Sequence, residues 1–191
     1  MSLIERRDRE RAQRHQSIIK AARELAEADG WDAVTTRRLA ERVEYSQPVL
    51  YSHFAGKDAI LRAVAIEGFE ELAADLHAAR LGVTDARQAL RAVCAAYLAF
   101  AERQPALYLA MFVLPTDVKF ASSETPAPLR AGFGEFVAMV RDYAAEPELC
   151  AEVVWAALHG LAVLAKGGRI PPDGKDARLD LLIAQVTGSG R

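Results

Sequence analysis

Apolar positions recur at intervals of three and four along nearly the whole chain, and no run alternates strictly beside a hairpin dipeptide. The pattern therefore predicts helices throughout and no sheet. Ile18, Ile19, Ala22, Leu25 and Ala26 set a first helix from about residue 9 to Asp29, closed by Gly30. Two short helices follow. A threonine caps the first, at Thr35-Thr36, with Leu39, Ala40 and Val43 as its apolar stripe; Ser46 caps the second, with Pro48 in its opening turn. A longer helix from Lys57 to about Arg80 carries Ile60, Val64, Phe69, Leu72 and Leu76 inward and stops at Gly82. Thr84 or Asp85 caps the next, and Pro105 opens a short segment with Leu107, Tyr108, Met111 and Phe112. After a loop over 113–126, further helices are predicted at about 127–145, 148–166 and 175–187.

Composition supports the same class. Alanine supplies 37 of 191 residues and aromatics only 7%, which favours helix over sheet by intrinsic propensity, so the chain reads as all-α. Only Cys94 and Cys150 are present, without CxxC or histidine spacing, so neither a disulfide framework nor a zinc site is expected, and no cofactor is expected either. The opening residues mix both charge signs and lack an apolar h-region, which argues against a secretory signal and for a cytoplasmic protein. The most apolar stretch, Val153 to Ala165, contains His159 and Gly160. It reads as a buried helix rather than a membrane span. GxSxG, HExxH, GxGxxG and the Walker A pattern are all missing, so no enzyme is expected.

Charge is unevenly distributed under a net value of -2. Residues 1–62 carry 12 Lys/Arg against 10 Asp/Glu, a surplus of two, and the remainder carries 12 against 16. The densest positive run is Arg6, Arg7, Arg9, Arg11, Arg14 and Lys20, interrupted by Glu5, Asp8 and Glu10. Such a run is usually a solvated helix face; here it also offers phosphate contacts at the start of the first helix.

Two short helices joined by a tight turn and braced by an apolar first helix form the arrangement by which a helix-turn-helix presents its second member to the major groove. The run from Gly30 to Leu61 contains Thr35-Thr36-Arg37-Arg38-Leu39-Ala40, then Leu50-Tyr51-Ser52-His53-Phe54, then Lys57-Asp58-Ala59-Ile60-Leu61. In order and spacing it resembles the DNA-binding domain of the TetR family of bacterial transcriptional regulators over roughly residues 15–62. Leu39, Val43, Val49, Leu50 and Phe54 read as the shared core of the three short helices.

Thr36 and Lys57, at helix starts, suit phosphate contacts, and Gln47 and Pro48 open the helix whose side chains reach base edges. The resemblance implies that Arg37 reads a guanine, that Gln47, Pro48, Val49 and Tyr51 meet bases or the adjacent backbone, and that Tyr51 and His53 touch phosphates. His53 has an equally good reading as a packed helix-end residue. One departure from the family pattern is Glu44-Tyr45, where many members have glycine before the recognition helix; Glu44 should carry a modest left-handed strain.

The C-terminal part is looser in its likeness, resting on Trp155-Ala156-Ala157-Leu158-His159-Gly160, similar to a TetR branch with a Trp-x-x-x-His-Gly signature. The implied organisation is a helix-turn-helix domain over 1–56 and a helical ligand-binding and dimerisation domain over 57–191. Tyr97, Phe100, Met111, Phe112, Phe133, Phe136, Trp155 and His159 are candidates for an effector pocket, although aromatics and Met at helical spacing are usually plain core. Leu158, Ala162, Leu179, Leu182, Ile183 and Val186 are candidates for a homodimer interface between the last two helices and their symmetry mates. The expected function is a repressor released from a palindromic double-stranded DNA operator by an unidentified small-molecule effector. Its rivals are a helical sensor that does not bind DNA and a small all-α enzyme.

Overall fold

A computed structural model describes residues 3–188; Met1, Ser2 and residues 189–191, at the outer ends of the two expected domains, lie outside the described residues. Among the described residues the chain is helical without strands: α1 Leu3–Asp29, α2 Thr36–Arg42, α3 Gln47–His53, α4 Lys57–Arg80, α5 Ala86–Arg103, α6 Pro105–Phe112, α7 Ala127–Val140, α8 Pro147–Lys166 and α9 Lys175–Gly188. The all-α expectation holds. Two boundaries and one element differ: α1 starts about two turns early, α7 ends near residue 140, and Trp31–Ala33 forms a 3-10 turn that periodicity gave no sign of. A three-residue turn is too short to show a period.

The chain divides into two compact units. The first comprises Met1–Gly68 and Gln104–Val118, the second Phe69–Arg103 and Lys119–Arg191. In the first, α1 packs on the 3-10 turn, α2 and α6, and α2 packs on α3. Its core is Ile18, Ile19, Ala22, Leu25, Val34, Leu39, Leu50 and Phe54, all buried. Val43 and Val49, expected in that core, are only half-buried, because each sits at a helix edge beside the turn. In the second unit α5 packs against α7, α8 and α9, around Leu90, Val93, Tyr97, Phe136, Val154, Leu158, Leu179 and Ile183.

Helix ends follow local chemistry. The Thr35 hydroxyl accepts from the backbone N–H of Arg38 at 3.2 Å, and an Asp85 carboxylate oxygen accepts from that of Gln88 at 2.7 Å. The turn between α2 and α3 is a six-residue cap: the N–H of Tyr45 donates to the Ala40 carbonyl at 3.0 Å, and that of Glu44 donates to Glu41 at 3.4 Å. Glu44 takes φ 57°, the left-handed conformation that this motif reserves for glycine. The expected strain is present, and the turn closes regardless. Glu44→Gly should therefore stabilise the protein by about 1 kcal/mol, the cost of a side chain in that conformation less the entropy glycine adds to the unfolded chain. Urea unfolding should show a higher midpoint at unchanged slope; an unmoved midpoint would mean the turn stores no strain.

Candidate nucleic-acid interface

The seven residues of α3 divide cleanly by face. Leu50 and the following Phe54 point into the head and are 0% and 4% exposed, whereas Gln47 and Pro48 are exposed and Tyr51, one turn on, is 51% exposed. Residues three and four apart share a helix face, so Gln47, Pro48 and Tyr51 make one polar and aromatic surface held from behind by Leu50. Val49 is half-buried at its margin. Ser46 precedes the helix with extended backbone but makes no side-chain cap bond.

Thr35, not Thr36, caps α2, so the hydroxyl of the half-buried Thr36 is not committed to capping its own helix. Arg37 is well exposed and donates from Nε to a Glu41 carboxylate oxygen at 3.0 Å. An exposed i,i+4 pair of this kind contributes only a few tenths of a kcal/mol, so it does not hold the guanidinium back from another partner. Lys57, at the start of α4, is engaged differently: its ammonium donates to the carbonyl of Trp31 at 2.7 Å. That bond ties the first turn of α4 to the 3-10 turn and leaves two of three ammonium protons for other acceptors.

His53 is half-buried at the end of α3. The ring of His15 stacks on Phe54 with centroids 4.3 Å apart and lies 6.3 Å from the His53 ring. Burial, with Arg11, His15 and Arg14 nearby, lowers the pKa of His53 below its ordinary value, so the neutral form is favoured. His53 is thus partly packed beside His15 at the end of α3 and partly open to solvent.

Sequence reasoning missed the tie beneath this surface. The buried indole N–H of Trp31 donates to the Ala106 carbonyl at 2.7 Å, while one Glu27 oxygen accepts from the backbone N–H groups of Ala106 and Leu107 at 3.0 and 3.1 Å. α6 begins with Pro105 and has no side-chain cap of its own, so Glu27 supplies one from α1. The only sequence signal was a large aromatic directly after a helix-ending glycine.

Of the candidate pocket residues, the structure brings Tyr97, Phe136 and Trp155 together in the second unit. The Trp155 indole donates to the Tyr97 hydroxyl at 3.1 Å, and Phe136 meets Tyr97 edge to face at 5.7 Å. Phe100 is fully buried in the same unit, and Phe133 and His159 are half-buried. Met111 and Phe112 belong to the first unit, where Phe112 lies against Tyr108 at 4.8 Å. Burial lowers the pKa of His159 as well.

The dimer candidates need correction. Leu158, Leu179 and Ile183 are 0–2% exposed and belong to the core of the second unit, where α5 covers them; Ala162, Leu182 and Val186 are half-buried. The large apolar residues that α8 and α9 leave open are Leu149, Val153, Val163, Leu164 and Leu181. Nor is α8 a buried helix. It is long and apolar enough to cross a membrane by length and composition, but only 17% of that stretch is buried inside the protein.

A three-helix head presenting one face of a short second helix, joined to an all-helical remainder, defines a helix-turn-helix regulator. The family model for bacterial regulatory proteins of the tetR family matches residues 18–64, and the tetracyclin repressor-like C-terminal domain matches residues 90–186. The chain belongs to the TetR family and is a transcriptional regulator of that type. It is 27% identical to an uncharacterized HTH-type transcriptional regulator of Mycobacterium tuberculosis, over 92% of this chain and 81% of that one. It is 46% identical to the class D tetracycline repressor of Escherichia coli over 52 residues only, 27% of this chain and 24% of the repressor. A solved protein of unknown function from Rhodococcus sp. RHA1 superposes with a TM-score of 0.78 at 25% identity, covering 93% of this chain and 95% of that one.

One pH effect follows from His53. The unfolded chain titrates near 6.5 and the folded protein lower, so the unfolded state binds more protons between the two values. Stability is unaffected well above that window, falls as pH drops through 6.5, and levels off once the folded imidazole is also protonated. Denaturation midpoints measured from about pH 8 down to about pH 5 should decline, and His53→Asn should flatten the decline; an equal slope in the variant would assign it to other groups.

Proposed function

We propose that the protein is a repressor that grips a palindromic operator as a homodimer and is released by a small-molecule effector. The observation that carries this reading is the exposed face of α3, with Gln47, Pro48 and Tyr51 outward and Leu50 and Phe54 locked beneath, in a TetR-family chain. Thr36, Arg37 and Lys57 extend that face to phosphates and to one base, and Val49 borders it. Residues 1–56 then act as the reading head and 57–191 as the ligand-binding and dimerisation part of a cytoplasmic regulator. Two recognition helices related by a twofold axis enter successive major grooves about 34–36 Å apart. An effector that favours a conformer of different spacing weakens DNA binding through a coupling of about 1–3 kcal/mol. α4 is the lever, because it is one unbroken helix whose first half belongs to the first unit and second half to the second.

The partner surface is the open side of α8. Leu149, Val153, Ala156, Gly160 and Val163 recur at alternating four and three, the spacing of a helix–helix seam, and nothing lies within 4 Å of a Cβ built on Gly160, so a second backbone has room there. Val153→Asp should yield a monomer in sedimentation; a persistent dimer would move the interface off this stripe.

Operator reading is tested by selecting duplexes from a random library with the purified protein. Arg37→Ala should cost about 1–3 kcal/mol on the selected duplex and relax preference at one base pair. An equal loss on every sequence would show that Arg37 does not read a base.

A further inference from the structure

α1 continues well beyond the head it braces. The face that buries Ile18, Ala22 and Leu25 runs back at the same helical spacing through Arg14, Arg11 and Arg7. The inward stripe of the helix thus turns from apolar to cationic where the core ends, and Arg7, Arg11 and Arg14 are all exposed. Arg6 lies off this row; its Nε donates to Glu10 at 2.8 Å, a carboxylate that also feels the charge of Arg7 and Arg14.

The rotation of α1 fixes where the row faces. His15, one residue past Arg14, is stacked on Phe54 immediately after α3, and Arg11 and Arg14 are near enough for their charge to act on His53. On the other flank, Arg14 and Ser17 line an open hollow of about 720 Å³ with Tyr45, the residue in the turn that leads into α3. Arg11 and Arg14 therefore lie beside α3, Arg14 between its entry turn and its end, and Arg7 continues the same face of α1 one turn farther out. The row spans about 10.5 Å of helix axis, the axial length of about three phosphates on one DNA strand.

We infer that Arg7, Arg11 and Arg14 form a phosphate-binding row that carries the duplex contact beyond the recognition helix, onto the DNA backbone flanking the base pairs that α3 reads. The inference rests on the proposed DNA-binding function and deepens it. Guanidinium groups suit this role because their fork pairs bidentately with phosphate oxygens. The row makes no base contact, so it adds affinity without sequence preference and makes binding depend on flank length.

The test uses the full-length protein and the duplex enriched from a random library, in a core form and in a form with about six further base pairs on each side. Wild type should bind the longer duplex more tightly and with a steeper fall of log K against log salt. Arg7→Gln/Arg11→Gln/Arg14→Gln should abolish the gain from the flanks and flatten the slope by about 0.9 for each phosphate that each protomer no longer neutralises. Binding of the core duplex should keep its sequence preference. Thermal unfolding of the triple variant should match wild type, since the three side chains are exposed. An undiminished flank gain or an unchanged slope in the triple variant overturns the phosphate row while leaving operator reading in place. Failure of wild type to enrich any duplex overturns the DNA-binding reading itself, and this inference with it.

Discussion

Trp31 is the joint on which the head depends. Its indole N–H is buried and satisfied by Ala106 of α6, and its carbonyl takes the ammonium of Lys57 at the start of α4. A satisfied bond of this sort contributes about 1 kcal/mol, but leaving a buried donor without a partner costs about 1–3 kcal/mol, so the arrangement is more costly to break than it is rewarding to make. Glu27 reinforces it by capping α6 from the last turns of α1. Three helices distant in sequence thus meet at one short turn, and the residue whose place at a helix start suits it to phosphate also holds the turn closed.

That double engagement explains how much of the site was legible. Gln47, Pro48 and Tyr51 were readable because their spacing in a seven-residue helix leaves one face for solvent once Leu50 and Phe54 are placed inside. The strain at Glu44 was readable because the six-residue cap requires a left-handed residue there whatever its side chain. Lys57 was legible as a cation at a helix start, but its bond to Trp31 was not, since 26 residues and an unseen 3-10 turn separate them. The cap on α6 was equally hidden, because Glu27 lies 79 residues from Ala106 and looks in sequence like any solvated acid on a helix.

The C-terminal helices show where periodicity misleads. Leu158, Leu179 and Ile183 carried an apolar pattern broad enough to suggest an interface, yet α5 covers them within the same chain. Hydrophobic spacing gives the face but not the neighbour that will cover it. Exposure separates the two: Val153, at 62%, stays largely open in this chain, while Leu158, five residues on, has no surface left.

Gly68 on α4 holds a last consequence. A methyl group there would sit 2.6 Å from the Met111 sulfur and 2.9 Å from a Leu107 methyl, so the bare backbone of glycine is what leaves room for these two α6 side chains against α4 in the first unit. Any larger residue at this position would have to displace both side chains. Divergence at this single codon would therefore force Met111 and Leu107 to repack in descendants of this protein, while the outward face of Gln47, Pro48 and Tyr51 stayed the same.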